Sequence, residues 1–184
     1  MNVLPDSLVD TAVTLRRYRP SDVDAVHESI DASFEELRRW MPWSQTRPTE
    51  RSVKDFVHPS VIRFGGDADA NYAITLTDGG RYVGGCGLMP RAGVRRLEIG
   101  YWVDTRYTRR GIATTAARLL TGAAFALSDI DSVEIHCDEA NVASACVPRK
   151  LGYRLDRIVD NTIQAADETG RSMIWILDRD AWTG

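Results

Sequence analysis

The sequence predicts a layered α/β (α+β) domain, with a mixed, mostly antiparallel central sheet of about seven strands and helices on both faces. Three observations lead there. Seven short runs read as strands, rich in apolar and β-branched residues and bounded by turn residues. A helical region stands before three closely spaced strands, and a long helix stands between the third of these and the next, so the sheet is mixed and covered on both sides. The composition is ordinary for a globular chain, with 43% hydrophobic and 27% charged residues. Its 184 residues suffice for one domain spanning 1–184.

The elements follow in order. TAVTLRRYRP (11–20) alternates as a first strand, and Ser21-Asp22 after Pro20 can cap a helix over 22–40 that Pro42 ends. Thr49 can cap a second helical stretch, ERSVKDFVHPSVIRF, which Pro59 kinks or splits and Gly65-Gly66 close. The period then changes. NYAITLT, the turn Asp78-Gly79-Gly80 and RYVGGCGLMP read as a hairpin, and RRLEIGYWV (95–103) adds a third strand. A loop and a long helix to about Leu127 come next, then the strand SVEIHCD and a short helical piece from Asn141 to Leu151. Gly152 ends that piece in the C-cap role. YRLDRIVD and RSMIWILD are the last two strands, joined through Asp167, Glu168, Thr169 and Gly170.

Charge and cysteine content narrow the function. A net charge of -3 offers no general attraction to nucleic acid or to an anionic membrane, so any anion recognition must be local. No apolar run is long enough to span a bilayer, and the acidic N-terminus lacks a secretory pattern, so the expected location is cytoplasmic. Cys86, Cys137 and Cys146 are an odd number without CxxC spacing, and the three histidines are scattered. Free thiols and no metal are expected. His136 and Cys137, adjacent on a strand, should face opposite ways.

The local anion site is TRRGIATTAARLL (108–120), where two arginines and a glycine run straight into a helix. A helix N-terminus leaves backbone N–H groups unpaired and carries partial positive charge, so it attracts phosphate. Glycine lets a ligand approach those groups. Arg109, Arg110, Gly111, Ile112 and Ala113 therefore form a candidate pyrophosphate cradle, and Ala116, Ala117, Ala123 and Ala124 let the helix pack close to the sheet. Read alone, the same residues also describe solvated charges before a turn. The GGCG at 84–87 lies inside a strand and opens no helix, so it is no dinucleotide fingerprint.

T-R-R-G-I-A at 108–113, after a strand and opening a helix, resembles the [QR]-x-x-G-x-[GA] pyrophosphate loop of the GNAT superfamily of acyl-CoA-dependent N-acyltransferases. N-V-A-S at 141–144 and K-L-G-Y at 150–153 resemble a second segment of that family. LRRWMPW (37–43) and ILDRDAW (176–182) are similar to the branch holding the ribosomal-protein N-terminal acetyltransferases. The likeness covers about residues 11–182 and departs from the family pattern twice. Thr108 stands where Gln or Arg is usual, so a phosphate contact is lost or moved to Arg106, Arg109 or Arg110. Pro148 stands where many members carry the tyrosine that protonates the leaving thiolate.

The resemblance implies acetyl-CoA, or another acyl-CoA, as cosubstrate without a metal, and a primary amine on a protein N-terminus or a small molecule as acceptor. It leaves a homodimer open. An ordinary amine is mostly protonated at neutral pH, so a base is needed, and Glu98, the only acid on its strand, is the candidate. Ser144 is the candidate acid for the thiolate, and Asn141 a ligand of the pantetheine arm. Backbone N–H groups near Trp102 and Val103 are candidates for the carbonyl oxygen. Trp40 and Trp43 would line the acceptor pocket. Each has a structural alternative: Glu98 pairing with an arginine, Ser144 and Asn141 capping a helix, the tryptophans filling core. The two departures also suit a domain that binds acyl-CoA without turnover, and Arg95-Arg96 with Arg106–Arg110 weakly suggest nucleic acid.

Overall fold

The computed structural model describes residues 3–64, 69–91 and 94–184. The strands are β1 (Ser7–Val9), β2 (Val13–Arg17), β3 (Ala70–Leu76), β4 (Tyr82–Pro90), β5 (Arg96–Val103), β6 (Ser132–Asp138), β7 (Arg154–Asp160) and β8 (Arg171–Asp178). The helices are α1 (Val23–Ala32), α2 (Phe34–Trp40), α3 (Glu50–Ile62), α4 (Ile112–Ala126) and α5 (Val142–Lys150). All eight strands form one sheet in the order β1-β2-β3-β4-β5-β6-β8-β7. Every pairing is antiparallel except β5 with β6, which α4 bridges as a crossover.

One strand more is present than the sequence suggests. β1 is three residues long and half-exposed, too short to show a period, and it exists because its backbone pairs with β2. The helix expected over 22–40 is two helices meeting at Ser33, whose φ of -104° and ψ of 4° leave the helical range. A tertiary contact accompanies the break: the Ser33 hydroxyl accepts from the backbone N–H of Thr105 at 3.0 Å. Thr49 caps α3 by accepting from the Ser52 N–H at 3.1 Å. Pro59 sits in the last turn of that helix, which continues unsplit to Ile62. The expected closure at Gly65-Gly66 lies outside the described residues.

Alternation assigns the sheet's two faces. Val133 and Ile135 of β6, Leu97 and Ile99 of β5, and Met173, Trp175 and Leu177 of β8 pack with α4. The contact face of α4 carries Ala116, Ala117, Ala123 and Ala124, all buried, as the small residues at those positions predict. The opposite face packs Tyr18, Ala73, Tyr82 and Trp102 against α1, α2 and α3. No helix among the described residues is long and apolar enough to cross a membrane.

Candidate active site in the cleft between two parallel strands

The parallel pairing of β5 and β6 ends at Ile99↔Ile135, yet β5 runs on to Val103 and β6 to Asp138. Past that point each strand keeps only its outer neighbour. β5 stays on β4 as far as Val103↔Gly84, and β6 stays on β8 as far as Asp138↔Ser172. The sheet therefore opens in a V. Asp104 donates its N–H to Val83 of β4 at 2.9 Å. Antiparallel alternation then turns the Trp102 N–H into β4 and leaves that of Val103 facing the open side.

A cavity of about 1400 Å³ opens at this V on the face of α1–α3. Glu98, Trp102, His136, Asn141, Ser144 and the two tryptophans at 40 and 43 all border it. Trp43 is 52% exposed and tilts against Trp102 with ring centroids 6.0 Å apart, so Trp43 forms a wall of the cleft, backed by Trp102, which itself packs on the core. Trp40 ends α2 under the guanidinium of Arg39. Gly85 makes room for this wall, because a Cβ there would lie 2.8 Å from the Trp102 indole nitrogen and 2.6 Å from the Tyr18 hydroxyl.

The expected cradle lies at the start of α4. Gly111 is its N-cap, with φ 79° and ψ 0°, and Arg109 is the one non-glycine among the described residues with positive φ, at 61°. Left-handed residues alternating with ordinary ones gather successive N–H groups into an anion-binding concavity. The first intrahelical bond runs from Thr115 to the Gly111 carbonyl, and no described residue accepts from the N–H of Gly111, Ile112, Ala113 or Thr114. A diphosphate fits these donors.

The side chains of the loop are less equal than the sequence implies. The Thr108 hydroxyl donates to the Thr105 carbonyl at 3.0 Å and so turns back into its own turn. Arg106 is engaged by Asp104 at 2.7 Å and by Glu28 at 2.9 Å. Arg110 lies over the Tyr107 ring and donates to the Arg106 carbonyl. Arg109 has no hydrogen-bond or ion-pair partner among the described residues and is exposed, which leaves it as the charge available to the cradle. Asp104 anchors the whole turn. It is fully buried, accepts from Ser29 at 2.7 Å, from the Arg106 backbone at 2.9 Å and from the Arg106 guanidinium. Burial alone would raise its pKa, but these hydrogen bonds outweigh it and hold the carboxyl below the usual carboxylate range.

Ser144 and Glu98 stand on opposite sides of the opening. Asn141 caps α5 by accepting from the Ser144 N–H at 3.0 Å, so both its cap role and its place at the cleft are realised. The Ser144 hydroxyl lies 3.2 Å from the phenol of Tyr101, which points to the α4 side and also donates to the Ser144 carbonyl. Burial raises the Tyr101 pKa far above its ordinary value, so the phenol stays neutral. Pro148 is buried within α5, and the nearby Tyr153 hydroxyl is bonded to Thr121 at 2.7 Å, away from the cleft. Tyr101 is thus a phenol at the site that sequence reading missed; nothing in its run indicates that it reaches α5.

Glu98 projects to the other face, forms an ion pair with Arg91 and has His136 Nδ1 at 3.5 Å. His136, noted in the sequence only as one of three scattered histidines beside Cys137, is a second residue at the site. The three cysteines are free; Cys86 is buried, while Cys137 and Cys146 are partly exposed. No cluster of metal-ligating side chains occurs among the described residues.

The family model described as an acetyltransferase (GNAT) domain matches residues 12–154. A Bacillus subtilis protein named as a ribosomal N-acetyltransferase, YdaF, is 26% identical over 149 residues, which are 79% of each chain. Among solved structures, RimL, a ribosomal-protein α-N-acetyltransferase solved with coenzyme A, superposes with a TM-score of 0.83 at 19% identity, covering 97% of this chain and 99% of that one. The microcin self-immunity acetyltransferase MccE, solved with acetyl-CoA and AMP, gives 0.85 at 16% identity, covering 96% and 98%. Mycobacterium smegmatis RimJ gives 0.80 at 20% identity, covering 94% and 84%. At these identities the solved structures share the fold.

Proposed function

The chain belongs to the GNAT acetyltransferase family, and from that premise we propose that residues 1–184 form one acyltransferase domain that moves an acetyl group from acetyl-CoA to a primary amine by direct attack. The acceptor class we favour is a protein N-terminus, as the name of the Bacillus subtilis relative suggests, with a small-molecule amine as the second class. We assign the reaction to the cytoplasm as part of this proposal. The observation that carries the reading is the V between β5 and β6, with unpaired helix donors at one end and a carboxylate and a hydroxyl on its two sides.

The roles follow from position. Backbone N–H groups of Gly111 to Thr114, with Arg109 beside them, hold the diphosphate. Asn141 holds the pantetheine arm as it crosses the end of α5. Bound there, acetyl-CoA supplies an activated acyl carbon at the opening of the V. The Val103 N–H faces the carbonyl oxygen, where a fixed donor costs no reorganisation as charge develops. Glu98, on the face of the tryptophan wall, draws the cationic acceptor and takes its first proton, directly or through water. Ser144, backed by the neutral phenol of Tyr101, gives a proton to the departing sulfur, which fills the role left by Pro148.

Thr108 and Pro148 also suit a non-catalytic acyl-CoA-binding domain. Thiol release from acetyl-CoA with peptides bearing free α-amines and with polyamines separates the two. Release above background, cut by Glu98→Gln while acetyl-CoA still binds, is the expected result; binding without release across such acceptors would leave a binding domain.

A further inference from the structure

Beyond Glu98, the acceptor side of the cleft holds a built proton-accepting group. β6 carries Glu134 and His136 on the same face, two residues apart, and the register sets Glu134 beside Glu98 of β5. His136 is the first residue of β6 past the end of the parallel pairing, so it stands at the crotch of the V. Glu134 is almost wholly buried and is held by Arg96 at 2.7 Å. Its other oxygen lies 2.9 Å from His136 Nε2.

The neighbours fix the tautomer. A carboxylate only accepts, so Nε2 carries the hydrogen and donates to Glu134. Arg91 donates to Nδ1 at 3.2 Å, so Nδ1 holds a lone pair. The ring is therefore oriented by a buried carboxylate, and its unprotonated Nδ1, capped by Arg91, lies at the cavity that His136 borders. The same Arg91 nitrogen, Nη2, pairs with Glu98. One cationic nitrogen thus sits against both Glu98 Oε2 and His136 Nδ1.

We infer that His136, positioned by Glu134, accepts the proton released from the amine nitrogen on attack, and that Arg91 Nη2 occupies the place of that nitrogen until the acceptor displaces it. The inference rests on the acetyl-transfer reading and adds to it a second base. An ammonium must lose two protons to become an amide. The first goes to Glu98 or water. As the C–N bond forms and the C–S bond breaks, the second passes to His136 Nδ1, and the imidazolium so formed lies between Glu134 and Glu98. Ser144, which borders the open cavity, protonates the sulfur and regains a proton from solvent. His136 then returns its proton to water, and one proton is released overall.

The charged groups around the ring are Arg91 at the end of β4, Glu98 on β5, Glu134 on β6 and Arg157 on β7, while β8 places the apolar Ile174 opposite it. Burial, as the largest influence, holds the His136 pKa below its ordinary value, against the Glu134 hydrogen bond, which raises it. Neutral His136 is thus the form present at pH 7, and kcat should fall as pH drops through that lowered value.

The test uses the full chain with acetyl-CoA and the peptide and polyamine acceptors, following kcat, KM and acetyl-CoA binding across pH. His136→Gln should retain acetyl-CoA binding, lose about a hundredfold in kcat and lose the acid limb of the profile. Arg91→Met should lower KM for a cationic acceptor about two- to fivefold, because a partly exposed ion pair need no longer be displaced. Wild-type kcat and pH profile in His136→Gln, with turnover intact, would overturn the role of His136 alone. An unchanged or raised KM in Arg91→Met would overturn the placement of the amine. Absence of thiol release from the wild type would take down the transfer reading itself, and this inference with it.

Discussion

Replacing Gly111 by alanine separates backbone strain from ligand contact. At φ 79° and ψ 0° an L-residue is left-handed, which costs about 1–2 kcal/mol. A stiffer unfolded chain returns about 0.4–1 kcal/mol of that. No protein atom lies within 4 Å of the added Cβ, so no steric term is added, and the net loss is roughly 1 kcal/mol. For a chain of this length that lowers Tm by about 2–4 °C. If the diphosphate seats on the adjacent N–H groups, the methyl also holds it away from charge-assisted hydrogen bonds worth about 1.5–3 kcal/mol, so the acetyl-CoA Kd rises about ten- to hundredfold. Gly152→Ala is the control: φ is again 79° and the added Cβ again meets nothing, but the residue lies past the far end of α5. Calorimetric titration with acetyl-CoA and thermal melts of both variants give the four numbers. Equal melting losses with an unchanged Kd in Gly111→Ala would refute the cradle.

Ser144→Ala should lower kcat about a hundredfold with little change in the KM for acetyl-CoA, and Tyr101→Phe should lower it less; steady-state kinetics of the single and double variants would show the two acting as one unit if the losses do not multiply. Asp104→Ala should destabilise by about 2–3 kcal/mol in denaturant titration, discounted from a wholly buried ion pair because Arg106 is 44% exposed, and should weaken acetyl-CoA binding by loosening the turn before α4. Asp104, Asp22 and Asp138 all have pKa values held below the carboxylate range. The unfolded chain therefore takes up protons first, so their stabilisation is complete above about pH 5 and is lost as pH falls through about 4 toward the lowered values; an acid melting series should show that loss blunted in Asp104→Asn. Thr49→Ala removes the α3 cap and should cost about 1 kcal/mol, read as a Tm lower by about 2–4 °C.

The sequence discloses what local chemistry decides. Seven strands, the α4 start at Gly111, the Thr49 cap and the Asn141 cap each follow from period or capping residues within a few positions. What it hides depends on register or on distant partners. Ser33 reads as mid-helix because the residue that answers it, Thr105, is 72 positions away. Asp104 draws no notice in the sequence, because Ser29, which helps make it a buried anchor with Arg106, lies 75 positions away. Glu98 is legible as the only acid on its strand, but its neighbours Arg91 and His136 come from the residue after β4 and from β6. The pairing of Glu98 with Glu134 across β5 and β6, and so the nearness of His136, cannot be counted from sequence spacing.

The departures at Thr108 and Pro148 are better understood from the V than from the motifs that contain them. The opening needs no ligand to hold it, since β5 is secured to β4 through Val103↔Gly84 and the Asp104 N–H, and β6 to β8 through Asp138↔Ser172. The Tyr101 phenol reaches α5 across the gap and meets Ser144 there. A frame fixed by main-chain pairing presents main-chain donors at Val103 and at the start of α4 whatever the side chains do, which is why a threonine turned inward at 108 leaves the cradle intact. The proton donor is less protected, because it must come from a side chain. With proline at 148, the donor proposed here is the hydroxyl that the Asn141 cap and Tyr101 already hold at the cleft. A tyrosine introduced by Pro148→Tyr would therefore restore little to a Ser144→Ala variant unless its phenol could reach past the buried position that the proline fills.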